Sequence, residues 1–174
     1  MASVLPFDEL NRFTTLIRER YTEPLKPTDD KEDIIDEMLD LFLLAYATGN
    51  SVTNSNLASG YAPTLDDAMD VVDAEVAGKT WRDRVEEYFD NGGTADDIVR
   101  IAETETHRIA NTAALSTARY AGAKSKTWVT MLDDRVRETH DYLEGVTVGI
   151  DDEFITYDGD HAAAPGLSLP HKTM

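Results

Sequence analysis

The fold is decided by residues 94–120, which read TADDIVRIAETETHRIANTAALSTARY. Thr94 with Asp97 resembles the residue pair that caps a helix N-terminus. The apolar residues that follow recur at helical spacing and are mostly small: Ile98, Ile101, Ala102, Ile109, Ala113 and Ala114. This spacing predicts the longest helix of the chain, which ends near Tyr120 and spans roughly 40 Å. Because its apolar side chains are small, we expect the helix to pack closely against its neighbours.

Two more helices are predicted near the start of the chain. The apolar spacing of the first begins at Phe7 and includes Tyr21, and this helix cannot run past Pro24. The second begins near Thr28 or Asp29, where Asp29 with Glu32 resembles a helix cap. Its apolar residues cover more than one face, so it should be the most buried helix. Residues 49–63 are polar and rich in Asn, Ser and Gly, which predicts a loop.

Two short helices should connect this loop to the long helix. Thr64 is the predicted N-cap of the first, which ends at Gly78. Thr80 with Asp83 resembles a second cap, and the Asn-Gly-Gly sequence at 91–93 should stop the helix that follows.

The character of the sequence changes after Gly122. We expect a short strand at 126–131, a helix at 133–143, strands at 146–148 and 154–157, and irregular chain from Asp158 onward. The predicted fold is mainly α: an N-terminal helical region, 1–122, contains one long helix. A small α+β module, 123–174, follows and finishes in an irregular C-terminal tail.

The charge of the chain argues against a general nucleic-acid-binding protein. Its 34 acidic and 16 basic residues give a formal net charge of −18, and a field of that sign repels nucleic acid. A basic cluster of Arg119, Lys124 and Lys126, with Arg135 and Arg137 soon after, leaves local DNA contact open. Cations of this kind also occur at ordinary helix ends, which is the commoner interpretation.

The composition also bears on the compartment. No run of about 18 apolar residues exists, so we expect no membrane span. Cysteine is absent, which excludes disulfides and thiolate metal sites within these residues. The N-terminus has no signal-like segment, which fits a protein made and assembled in the cytosol.

The sequence offers little for catalysis or for a cofactor. His107 lies in the predicted long helix, four residues after Glu103, where a local contact is its ordinary role. His140, His161 and His171 lie near carboxylates, but no pair has the spacing of a common metal motif. Phosphate-binding and nucleophile motifs are absent as well. We therefore predict no catalytic residue, metal, cofactor or small-molecule substrate.

A cluster of charges begins the predicted helix of the module. Asp133 and Asp134 precede Arg135 and Arg137. One interpretation is an acid–base pair with anion-binding arginines. The other is a group of structural ion pairs, in which the aspartates cap the helix and the arginines hold the neighbouring loops. We favour the second, since neighbouring carboxylates need burial to become catalytic.

Short motifs from Ile101 to the end occur in a fixed order. They comprise Thr104-Glu105, Asn111, Ala113-Ala114, Lys126-Thr127-Trp128-Val129-Thr130, Asp133 to His140, Leu143-Glu144-Gly145-Val146, Asp152-Glu153-Phe154, Pro165-Gly166 and Pro170-His171. This order resembles the phage Mu F-like minor head protein domain, also called the phage head morphogenesis domain. The most specific part is the tryptophan, then Asp-x-Arg-Val-Arg-x-x-His, then Leu-x-Gly. The family usually continues into an Asn-Cys-Arg-Cys-like end, whereas this sequence ends at Met174, so it is either a variant or part of a longer protein.

The resemblance implies a structural minor head protein of a tailed bacteriophage. Such a protein associates with the phage portal protein, other head proteins and the procapsid interior, and assists head assembly and DNA packaging or delivery. It would be located in the virion after assembly in the host cytoplasm, and it would not be an enzyme. Two alternatives stay open: a small metal-dependent hydrolase or nuclease using His140 with Asp133 or Asp134, and a toxin-delivery module.

Two sets of residues follow as site predictions. The residues expected to fix the fold of the module are Trp128, Asp133, Asp134, Arg135, Arg137, His140 and Gly145. The candidates for partner binding are the aromatic residues Phe7, Phe13, Phe42 and Phe89, although apolar residues at this spacing more often fill a core.

Overall fold

The computed structural model describes residues 5–129, 142–165 and 167–169. Five helices lie in this part of the chain: α1 Phe7–Arg20, α2 Lys31–Leu57, α3 Leu65–Val72, α4 Trp81–Asn91 and α5 Ala95–Tyr120. Five short strands follow them: β1 Ser125–Thr127, β2 Thr147–Gly149, β3 Phe154–Ile155, β4 His161–Ala162 and β5 Ser168–Leu169. The predicted fold class is confirmed, since the chain is mainly α and its short strands follow the long helix.

The helices α2 and α5 form the centre of the helical part, and α1, α3 and α4 pack around them. The two central helices approach closely at Gly49, where an added Cβ would lie 2.2 Å from the carbonyl oxygen of Ala110. Beside this contact, Asn50 Nδ2 donates a 2.8 Å hydrogen bond to Thr117 Oγ1. A glycine and an asparagine that look like loop residues therefore serve a helix–helix contact.

This contact corrects two predictions. The loop expected at 49–63 is wrong for its first part, because α2 continues to Leu57. The reason is that Gly49 and Asn50 gain partners on α5 that outweigh their low helix propensity. With 27 residues α2 is also longer than α5, which has 26 and was predicted to be the longest helix.

Local capping sets the starts of the three later helices. The pairs are Thr64 with Asp67 for α3, Thr80 with Asp83 for α4 and Thr94 with Asp97 for α5. In each pair the threonine N–H donates to the aspartate carboxylate, over 2.7 to 2.9 Å. The predicted starts of these helices are confirmed.

Two helix ends differ from the prediction. The N-cap of α2 is Asp30, and Asp29 instead accepts a 2.8 Å hydrogen bond from the N–H of Lys26. Helix α3 ends at Val72, before the predicted end at Gly78. The residues between form a tight turn, closed by a bridge between Val76 and Lys79.

The helical core corrects the interpretation of the aromatic residues as an open partner-binding patch. Phe13, Phe42 and Phe89 are buried, and Phe7 is half-buried against the same cluster. Phe42 packs edge-to-face on Trp81, with ring centroids 5.0 Å apart. These side chains fill the space between the helices, because a thin bundle needs large side chains to bury enough apolar area.

The strands form two small antiparallel sheets. One pairs β1 with β2, and the other has the order β3-β4-β5. A second hydrophobic cluster consists of Trp128, Leu143, Phe154 and Ala162. The prediction of an irregular tail from Asp158 is wrong where β4 and β5 form, because strands of two residues are too short to show an alternating pattern.

Candidate functional site

The predicted structural-motif residues are only partly within the described residues. Trp128 and Gly145 are described, whereas Asp133, Asp134, Arg135, Arg137 and His140 lie outside the described residues, as does most of the helix expected at 133–143. The roles proposed for the charged cluster therefore stay predictions. What the structure does show is how the other motif residues are used.

The centre of the candidate site is Glu105, whose side chain is 1% exposed on α5. Its Oε1 accepts a 2.6 Å hydrogen bond from Arg84 Nη2 of α4, and its Oε2 accepts one of 2.6 Å from Arg108 Nε. Nη2 of Arg108 donates to the carbonyl oxygens of Val71 and Val72, over 2.9 and 3.2 Å. One carboxylate thus connects the C-terminal end of α3, the helix α4 and the middle of α5.

The geometry of this ion cluster indicates a structural role. Each oxygen of Glu105 accepts from a guanidinium, and the side chain is shielded from solvent, so a substrate has no access to it. The Val71 and Val72 carbonyls lie at the end of α3, where carbonyl groups need partners from outside the helix, and Arg108 supplies one. We interpret the cluster as a connection between helices.

Part of this ion cluster could be recognised from the sequence. Thr104-Glu105 belongs to the motif series, and Glu105 with Arg108 has the spacing at which residues on a helix face one another. Arg84 was missed, because its contact with Glu105 joins two helices and no local pattern encodes it.

A second contact joins the long helix to the proline-rich loop. Asn111 Nδ2 donates a 2.8 Å hydrogen bond to the carbonyl oxygen of Pro165. Near the end of α5, Arg119 Nε lies 2.9 Å from Asp151 Oδ1. Asn111 and Pro165 both belong to the motif series, so motifs that are far apart in the sequence meet in the fold.

Trp128 and Gly145 also meet. The Trp128 N–H donates to Val146 O, and the Gly145 N–H donates to Trp128 O, each over 2.9 Å. The indole is 3% exposed and packs edge-to-face on Phe154, with centroids 5.1 Å apart. Gly145 has a φ of +74°, which favours glycine at that position. The Trp and the Leu-x-Gly motif therefore build the second hydrophobic cluster together.

The basic cluster considered for DNA contact is partly used inside the protein. Arg119 pairs with Asp151, and the ammonium of Lys126 is buried 5.6 Å from the centre of the Phe154 ring, with no hydrogen-bond partner among the residues that the structure describes. Burial lowers the pKa of Lys126, and the nearby positive charge of Arg119 lowers it further. Lys124 is exposed, as is Arg119.

Neither of two shallow surface depressions contains a predicted site residue. One of about 310 Å³ lies between Arg18, Tyr21 and Asp96, and another of about 430 Å³ lies beside Asn50 and Asn54. Within the described ranges, no three His, Asp or Glu side chains are arranged to hold a metal ion. None of the helices in those ranges combines the length and apolar character that crossing a bilayer requires.

The motif geometry agrees with the comparison with known families. A family model described as phage Mu protein F like protein matches residues 47–166, which is more than half of the chain. The chain belongs to the phage Mu protein F like family. The family match extends further toward the N-terminus than the motif series, which began at Ile101. No curated protein and no solved structure matches the chain significantly.

Membership of the phage Mu protein F like family supports a role in phage head morphogenesis, with other phage head proteins as partners. Since this is a family of structural head proteins, it also favours a protein that is not an enzyme. The matched residues include Glu105 with both its arginine partners, the Asn111–Pro165 contact and the Trp128–Gly145 contact. The segment before residue 47 lies outside the match, yet it supplies Phe13, Ile17 and Phe42 to the helical core.

Proposed function

We propose that this protein is a structural minor head protein of a tailed bacteriophage that associates with the portal protein and the procapsid interior. In this role it assists head assembly and DNA packaging or delivery, is made in the host cytoplasm and is carried in the virion. It acts without a cofactor or a small-molecule substrate.

The observation that carries the proposal is the family match over residues 47–166. The use of the motif residues supports it, because Glu105, Asn111 and Trp128 contact other parts of the same chain rather than line a cavity. Side chains used in this way fix a shape that partners can bind.

The charge of the protein supports partners of protein rather than DNA. A net charge of −18 opposes association with a polyanion over the whole surface. We propose that any assistance to DNA packaging or delivery runs through the portal and other head proteins, and that DNA contact, if it occurs, is confined to Lys124 and its neighbours.

The test is a pull-down with the tagged portal protein of the same phage, using the full chain. We expect the portal to retain the protein, and the major capsid protein, used as a matched bait, to retain much less. Mass spectrometry of purified virions should detect the protein in few copies. Loss of both signals, with the protein folded by circular dichroism, would contradict the proposal.

The enzymatic alternative has its own test. The full chain is incubated with supercoiled DNA and Mg²⁺ or Mn²⁺, and His140→Ala serves as the matched variant. We expect the DNA to stay intact with both proteins. Metal-dependent cleavage that disappears in His140→Ala would replace the structural proposal with a nuclease that uses His140 with Asp133 or Asp134.

A further inference from the structure

Strand β3 and its continuation separate buried from exposed side chains residue by residue. Phe154 and Thr156 are 2% and 3% exposed, and Phe154 packs against Trp128 in the second hydrophobic cluster. Ile155 and Tyr157, which alternate with them, are 55% and 83% exposed. This alternation is the ordinary pattern of a strand with one buried face, so the opposite face is left open to solvent.

A second tyrosine completes the open face. Tyr142 is 47% exposed, and its ring lies edge-to-face against Tyr157 with centroids 6.3 Å apart. The Tyr142 hydroxyl donates to the carbonyl oxygen of Ile155. We call Tyr142, Ile155 and Tyr157 the tyrosine face. The hydrogen bond and the ring contact fix its two aromatic rings in one place.

The part of the sequence that carries the tyrosine face is strongly acidic. The described residues from 142 onward contain six carboxylates and neither lysine nor arginine; the acidic residues are Glu144, Asp151, Asp152, Glu153, Asp158 and Asp160. His161 is paired with Ile155 across the strands, and its Nδ1 lies 2.9 Å from the Glu153 carboxylate. The Glu153–His161 pair therefore lies beside Ile155, and the net charge of −18 attracts cations to the protein as a whole.

We propose that the tyrosine face binds a segment of another protein that carries arginine or lysine side chains. Tyrosine rings attract a guanidinium or ammonium placed over them, and the negative charge of the protein adds to that attraction. Ile155 offers apolar surface to the aliphatic part of the same side chains. Tyrosine and arginine are both enriched in protein interfaces, which agrees with this pairing.

This inference goes beyond the proposed function, because it concerns the chemistry of a bound segment and does not depend on the portal. The test uses the full chain and a fluorescein-labelled peptide of alternating arginine and leucine residues, followed by fluorescence anisotropy. We expect Tyr157→Ala to weaken binding about fivefold, the ratio that corresponds to loss of one exposed cation–π contact. Because Tyr157 projects into solvent, its removal should leave the melting temperature unchanged.

The matched control is Tyr120→Ala, which removes a tyrosine that is 63% exposed at the end of α5. This variant should bind the peptide as the unmodified protein does. A second variant, Ile155→Thr, keeps a β-branched residue in the strand and should also weaken binding.

Three results would overturn the proposal. The first is equal affinity for the unmodified protein and Tyr157→Ala, which would show attraction by net charge alone. The second is an equal loss of affinity in Tyr120→Ala, which would show that the loss is not specific to the tyrosine face. The third is a dimer in sedimentation velocity that Tyr157→Ala dissociates, since the face would then bind a second copy of this chain.

Discussion

Replacing Glu105 by alanine gives the sharpest test of the ion cluster in the helical part. The change leaves the guanidinium of Arg108, whose side chain is 7% exposed, without its carboxylate. Removing one partner of a buried ion pair costs about 3–5 kcal/mol, because the other charge stays buried without compensation. Arg84 is 24% exposed and can turn toward water, so most of the loss comes from Arg108. For a chain of this size, we expect the melting temperature to fall by about 6–20 °C.

The assay is urea and thermal unfolding, followed by circular dichroism at the helical band. Glu103→Ala is the matched control, since Glu103 is half-buried one half-turn earlier on the same helix, and it should change the free energy of unfolding by no more than about 0.5 kcal/mol. Glu105→Gln keeps the shape of the side chain, so its free energy of unfolding should fall between those of Glu105→Ala and Glu103→Ala. If Glu105→Ala is as stable as Glu103→Ala, the Glu105 carboxylate does not stabilise buried Arg108. That result would contradict the structural role of the ion cluster.

Three further predictions concern packing and charge. Replacing glycine by alanine inside a helix normally stabilises the helix by about 1 kcal/mol. Gly49→Ala should instead destabilise the protein, because the new Cβ would lie 2.2 Å from the carbonyl oxygen of Ala110. In the same thermal and urea unfolding assays, Ser51→Ala, at an exposed position of α2, should leave the stability unchanged or raise it. Trp128→Ala should cost about 3–5 kcal/mol in urea unfolding and Trp128→Phe less, so an unchanged midpoint for Trp128→Ala would refute its role as the buried centre of the module. The Thr94 N–H lowers the pKa of Asp97. The stabilisation by the ionised carboxylate is therefore present above the ordinary pKa of about 3.8 and is lost as pH falls below it. Between thermal unfolding at pH 5 and at pH 3, the melting temperature of Asp97→Asn should fall less than that of the unmodified protein.

The parts of the fold that depend on local chemistry could be predicted from the sequence. The starts of α3, α4 and α5 follow from threonine–aspartate pairs three residues apart, which act within one turn of the chain. The change from helices to short strands after Gly122 could be predicted because the helical spacing of the apolar residues stops there. The division of the chain near residue 122 stays a prediction, and the separate hydrophobic cluster around Trp128 supports it.

The parts that depend on contacts between distant residues could not be predicted. Gly49 looks like a loop residue until Ala110 is placed beside it, and Phe42 looks available for a partner until Trp81 covers it. The candidate site shows the same limit. Glu105 and Asn111 stood out as parts of motifs, but Arg84 and the carbonyl of Pro165, which they bind, come from other elements.

The pairing of α2 with α5 also constrains when the chain can fold during its synthesis. The end of α2 at Leu57 leaves the ribosome well before the end of α5 at Tyr120, and at about 5–20 residues per second the delay is on the order of several seconds. Throughout that time the side of α2 that α5 covers in the folded protein is without that helix. The exposed carboxylates of the same helix, Glu32, Asp33, Asp36, Glu37 and Asp40, repel those of neighbouring nascent chains. We expect this repulsion to reduce aggregation of the growing polypeptide before the bundle closes.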